Sequence, residues 1–211
     1  MTDPTRDPLD LAYPFHGRWL VRNSPANRVP SHGTALFGLS HAIDFVPVDD
    51  DGRSALYTLT SLLRTEPPSA FTGFGRAVVS PIDGVVVGTH TTEPDHDSFR
   101  GLPSVGYALT QRRRLDSGLS AVIGNHVLVE TTWAGGIAVV AVCHLQQGSV
   151  LVSSGDTVRS GQPIGRCGNS GNSTEPHVHL HALDSRDLLH SAAVPITFRG
   201  GLPHNGEVVE A

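Results

Sequence analysis

The stretch EPHVHLHALD, residues 175 to 184, sets a histidine at every second position: His177, His179 and His181. Side chains of an extended strand alternate between faces, so all three imidazoles lie on one stripe. Neighbours on that stripe stand roughly 6.5–7 Å apart at the backbone, near enough for two rings to converge on one ion. Imidazole is the commonest protein metal ligand and the side chain that most readily moves protons near neutral pH. The chemistry open to the stripe is therefore metal binding, acid–base catalysis, or both. A solvent-facing polar strand explains one isolated His-x-His pair equally well, so the rest of the chain must decide.

Composition narrows the choice. Twelve histidines stand against one methionine, while two cysteines, Cys143 and Cys167, cannot build a disulfide framework or a thiolate zinc cluster. The net charge is −5, and every basic residue is arginine. The one dense basic run, Arg112 to Arg114, has no aromatic residues between its arginines. That is too little positive charge for a nucleic-acid partner. No apolar run reaches the ~18 residues that span a bilayer. The N-terminus, MTDPTRDPLDLAYPFHGRWL, lacks a basic stretch followed by an apolar one, so the sequence as written points to the cytoplasm.

The elements that must position the histidines are short strands. The 211 residues are 38% apolar and include 23 glycines and 15 prolines, which argues for many strands and turns rather than a helical bundle. Residues 1–12 read as a loose polar arm and 13–211 as one domain. Strands are expected at 17–23, 41–49, 126–131, 137–145, near 150, and at 175–183. RAVVS (76–80) and VVVGTH (85–90) read as a hairpin through PIDG. SALYTLTSLLR suggests a short helix. Residues 91–120 carry little periodicity and read as a long loop, of the kind that closes over a site. GDTVRSGQPIG reads as a tight turn framing a strand, and GNSGNST as a glycine/asparagine loop.

The run VCHLQQGSVLVSSGDTVRSGQPIGRCGNSGNSTEPHVHLHA resembles the core of the lysostaphin/LytM-type zinc endopeptidases. In that family an aromatic-x-His-Leu strand precedes a spaced Val/Gly/Ile-Gly pattern, a Gly/Ser/Thr loop and a Pro-His-Leu-His strand. SPIDGVVV, GNHVLVE and HAIDF are similar to its earlier strands, so the resemblance covers roughly residues 30–183. It implies an all-β fold, a mainly antiparallel open sheet or sandwich with little helix, and a peptide substrate. It also implies that Asp44 and His179 bind Zn²⁺, while His144 and His177 are non-ligand histidines acting on the water and the tetrahedral intermediate. Such a site, with one open coordination position, lowers the pKa of water to about 7. Relatives usually cut peptidoglycan peptides.

Two departures matter. The family's compact His-x-x-x-Asp motif is absent, and Cys143 stands where an aromatic is common. The missing third ligand lies between His32 and His41. An odd separation of three from Asp44 turns His41 to the opposite strand face unless a bulge intervenes. Gly33 and Gly38 let the loop carrying His32 fold back, so His32 is the expected ligand and His41 a residue of the groove. His181, where relatives often have Glu, reads as a supporting or surface residue. His126 reads as packing, Asp83 as a turn residue, Cys143 as a small buried residue on the face opposite His144, and Cys167, just before the glycine/asparagine loop, as a residue not expected among the metal ligands. His16, His90, His96, His190 and His204 read as surface residues. Similarity of SPIDGVVV to biotinyl- and lipoyl-carrier domains fails, because a chain without lysine has no attachment point. Two readings stay open: a zinc-dependent peptidase, and a catalytically silent binding or regulatory module of the same fold.

Overall fold

Valine-rich runs without turn residues form the longest strands. The computed structural model describes residues 7–109, 122–134 and 136–211. Among these are thirteen strands: β1 (Leu9–Leu11), β2 (Arg18–Arg22), β3 (Ile43–Pro47), β4 (Ala77–Val79), β5 (Gly84–His90), β6 (Asn125–Trp133), β7 (Gly136–Leu145), β8 (Thr157–Val158), β9 (Pro163–Arg166), β10 (Val178–Leu183), β11 (Ala193–Val194), β12 (Ile196–Phe198) and β13 (Val208–Glu210). Two short helices, α1 (Leu59–Leu63) and α2 (Leu102–Leu109), interrupt them. The main sheet has nine strands in the order β13-β2-β3-β10-β7-β6-β5-β8, with β11 added beside β10. Its pairings are antiparallel. The fold is the all-β, mainly antiparallel one expected, with little helix.

β7 and β10 run through the centre of this sheet and are buried on both faces. That is why IAVVAVCHL is continuously apolar instead of alternating. On one face Trp19, Phe45, Val142 and Leu180 belong to the larger core. Rings from the N-terminal segment complete it, with Phe15 stacked on Trp19 at 4.3 Å and Tyr13 on Phe198 at 4.7 Å. The other face carries a smaller cluster of Ile123, Leu128, Val139, Ala141, Cys143 and Leu183.

Several expectations are corrected. The loose arm over 1–12 does not hold for Leu9–Leu11, which pair in parallel with Ile196–Phe198 and bury both leucines. LDL is too short for its alternation to announce a strand. The hairpin over 76–90 does not form: β4 pairs with β9, and β5 pairs with β6 and β8. Two crossing segments are fastened instead, by Ser160 N–H on the Asp83 carboxylate at 2.7 Å and Gly161 N–H on Ser80 O at 2.8 Å. Asp83 thus holds a neighbouring loop rather than only its own turn. Residues near 150 form no strand, and α2 lies within the stretch read as one loop. The Arg112–Arg114 run and the far end of that stretch lie outside the described residues.

Candidate metal centre

Asp44 of β3 and His179 of β10 are direct cross-strand partners, which puts both side chains on one sheet face. Asp44 Oδ1 and His179 Nδ1 are 2.8 Å apart. His32 arrives from the β2–β3 loop with Nε2 3.0 Å from Asp44 Oδ2. One ligand atom from each of the three lies within 4.8 Å of the other two. Zinc held at about 2.0–2.1 Å by a tetrahedral set would place its ligand atoms roughly 3.3 Å apart, so two imidazole nitrogens and this carboxylate fit it. The far nitrogen of each imidazole is also engaged, as ligating histidines require: His32 Nδ1 lies 3.1 Å from Ser31 Oγ, and His179 Nε2 lies 3.1 Å from His181 Nδ1. These three residues can hold a metal ion.

The loop reaches the sheet because its backbone enters the left-handed region three times, at Gly33, Phe37 and Gly38. At Gly38 the left-handed φ of 68° favours glycine, and a Cβ there would also displace the end of the Leu183 side chain of β10. His41 ends a 3-10 turn, Leu36–His41, and β3 begins only at Ile43. Strand parity therefore does not apply to it. The structure brings His32, and not His41, to Asp44 and His179, for a reason of loop geometry rather than strand alternation.

His144 and His177 flank the three. Their ring centroids are 4.7 Å apart, and that of His144 is 5.7 Å from that of His179. His144 reaches this face because its backbone is left-handed, φ 61°, which breaks the alternation of β7. Its Nδ1–H donates to Ser170 O at 2.8 Å, and the Nδ1–H of His177 donates to Glu175 O at 2.8 Å. Carbonyl oxygens only accept, so both rings present an Nε2 free of hydrogen when neutral. His177 Nε2 is 3.7 Å from Asp44 Oδ1. The GNSGNST loop makes this arrangement possible: Gly171 lies so close to the backbone of Gly124 that a Cβ would not fit, which sets Ser170 beneath His144.

Electrostatics follow burial. Burial alone would raise the Asp44 carboxyl, but the charge of His32 and hydrogen bonds from His179 and His32 hold it well below the usual carboxylate range. Burial pushes the His144 imidazole well down, with the charges of His177 and His179 adding to the effect. His179 is lowered by burial against the opposing pull of Asp44. His181, 4% exposed, is pushed well down by burial and by His179.

Asn23, which no motif in the sequence marks, donates Nδ2–H to Asp44 Oδ2 at 2.7 Å and orients the carboxylate. Its signal was faint: an asparagine ending a strand, at a left-handed φ of 48° that asparagine tolerates. His181 is a buried partner of His179 and not a surface residue. Cys143 pairs across the strands with His179 and packs in the cluster of the site face, so its expected opposite orientation is corrected by the left-handed turn at His144. Cys167 lies in the larger core and does not join the ligand group. His126 is buried against His90, its Nδ1–H donating to Gly124 O. His96, read as a surface residue, has Nε2 2.9 Å from Gly171 O and braces the glycine/asparagine loop.

The model of peptidase family M23 matches residues 107–189, less than half the chain. That stretch contains His144, His177 and His179, and it bears out the lysostaphin/LytM-type resemblance read from the sequence. No curated protein matches the chain. Among solved structures, lysostaphin in solution is 19% identical, with 72% of this chain and 40% of that one covered and a TM-score of 0.39. A zinc-containing peptidase from Vibrio cholerae is 17% identical, with 72% and 45% covered and a TM-score of 0.37. The lysostaphin catalytic domain from Staphylococcus simulans is 15% identical, with 84% and 88% covered and a TM-score of 0.39. The chain spans less than half the length of the first two. Among the described residues no helix is long and apolar enough to cross a membrane.

Proposed function

We propose that the chain is a zinc-dependent peptidase that hydrolyses peptide bonds, with peptidoglycan-derived peptides among its substrates. The observation that carries this reading is the meeting of His32, Asp44 and His179 within 4.8 Å, beside the paired rings of His144 and His177. Zinc, when bound there, supplies Lewis-acid activation of water and of the scissile carbonyl. The chain's own residues do the rest. Asp44 stays anionic and, with His32 and His179, fixes the ion. His144 and His177 each anchor Nδ1–H on a carbonyl oxygen and turn Nε2 inward. Burial, with the charges of His177 and His179 adding to it, keeps the His144 imidazole neutral, so its Nε2 stays an acceptor. The neutral Nε2 accepts the proton of the attacking water, and that same proton then passes from Nε2 to the leaving amine as the C–N bond breaks.

Variants separate the roles. His144→Ala and His177→Ala should keep zinc and lose about 10²–10⁴-fold in peptide hydrolysis. Asp44→Ala and His179→Ala should lose both metal and activity. If His177→Ala sheds zinc as completely as His179→Ala, the division of roles is wrong. A zinc-loaded wild-type protein that binds peptides without cutting them would favour the silent binding module.

A further inference from the structure

The three residues that can hold a metal stand between two cavities of opposite character. One, of about 240 Å³, is polar and takes Arg22, Asp44, Glu175 and His177 into its wall. The other, of about 80 Å³, is walled by Phe37, Leu39, Ile123, Leu128, Ala141 and Leu188, and among the described residues no Asp, Glu, Lys or Arg lines it. His144, His179 and His181 also line this second cavity, so whatever fills it lies against the reacting centre.

The sequence builds the floor of the apolar cavity. Leu128 of β6 pairs with Ala141 of β7, and Ala141 pairs with His181 of β10, so three adjacent strands present these side chains in one row. A small alanine between two larger neighbours leaves the hollow. Leu128 and Ala141 are buried, whereas Phe37, Leu39 and Leu188 are half-buried and form a rim. Phe37 and His144 of this lining are non-glycine residues held at φ 57° and 61°. Bulky side chains rarely adopt that conformation, and it persists where a site over-determines it.

We infer that this cavity is the subsite for a neutral aliphatic side chain of the substrate, at a residue adjoining the scissile bond. The inference rests on the peptidase reading for its substrate and deepens it. An acidic or basic side chain would lose its hydration against the aliphatic and phenyl groups that make up most of the described wall. Glycine would leave the hollow unfilled. The volume is several times the 10–15 Å³ at which a single water fits, enough for a short branched side chain. A branched aliphatic group fully enclosed in such a pocket gains about tenfold or more over glycine.

The probes are blocked pentapeptides of glycine whose central residue is glycine, valine, glutamate or arginine. Binding is read calorimetrically on the full chain held free of metal, and hydrolysis by mass spectrometry on the zinc-supplemented protein. The valine peptide should bind about tenfold or more tightly than the glycine peptide, with glutamate and arginine no better than glycine. Leu188→Trp and Leu39→Trp, two rim changes that block the mouth, should each bring valine within about twofold of glycine. Equal binding of all four peptides, binding of none, or a valine advantage that survives both changes overturns the assignment. Valine-selective binding without zinc-dependent cleavage keeps the subsite and sinks the peptidase reading. Cleavage of all four at equal rates does the reverse.

Discussion

His181 holds the far nitrogen of His179 at 3.1 Å and is itself buried, 4% exposed. A ligating imidazole needs its second nitrogen fixed, since that hydrogen bond sets both tautomer and ring direction. Burial keeps His181 neutral, so one of its nitrogens remains an acceptor for His179 Nε2–H. His181→Ala should therefore weaken zinc binding about 10–100-fold without touching any ligand. His181→Glu, which restores an acceptor at the same place, should recover most of that loss. Competition titration against a chromophoric chelator measures both, and an alanine variant with unchanged affinity would remove His181 from the site. The residue alone gave little warning of this, because a third histidine on a stripe looks the same whether it faces water or another ring.

Elements decide which residues meet. The pairing of β3 with β10 sets Asp44 opposite His179, and the bulged end of β7 turns His144 onto the same face. Much of this was legible: the alternating EPHVHLHAL gave a strand with its histidines on one side, and HAIDF gave the strand of Asp44. What sequence could not supply was partnership between distant segments. RAVVS and VVVGTH looked like a hairpin because turn chemistry is local, yet RAVVS found its partner in β9, more than eighty residues on, and VVVGTH lies between β6 and β8. Parity arguments failed in the same way at His41 and Cys143, where 3-10 and left-handed backbone replace regular strand. The glycine/asparagine loop makes its own prediction. Gly171 has φ 73° and no room for a Cβ against Gly124, so Gly171→Ala should cost about 1–3 kcal/mol of stability in urea denaturation. It should also displace Ser170 from His144 and lower hydrolysis with little change in zinc affinity. A variant as stable and active as wild type would show that the close approach is not required.

At the scale of the whole molecule, histidines buried in neutral form make the fold sensitive to acid. Burial lowers His126, against a hydrogen bond to Gly124 O that opposes the shift and with the charge of His90 adding to it. Below about pH 6.5 the unfolded chain takes up a proton that the folded His126 refuses, so stability falls as pH drops from there toward its folded value. In chelator the melting temperature should decline between pH 7.5 and 5.5, and His126→Phe should decline less. A melting temperature that holds or rises on acidification contradicts the burial argument. On the proposed function, the β2–β3 loop, β3 and β10 converge on one zinc ion through His32, Asp44 and His179. Zinc titration of the metal-stripped full chain, with elemental analysis of the bound fraction, tests it most directly. The wild type and His41→Ala should each bind close to one zinc ion per chain, and His32→Ala should bind none tightly. A wild type that takes up no zinc, or a His32→Ala variant that binds it as well as the wild type does, would contradict the account.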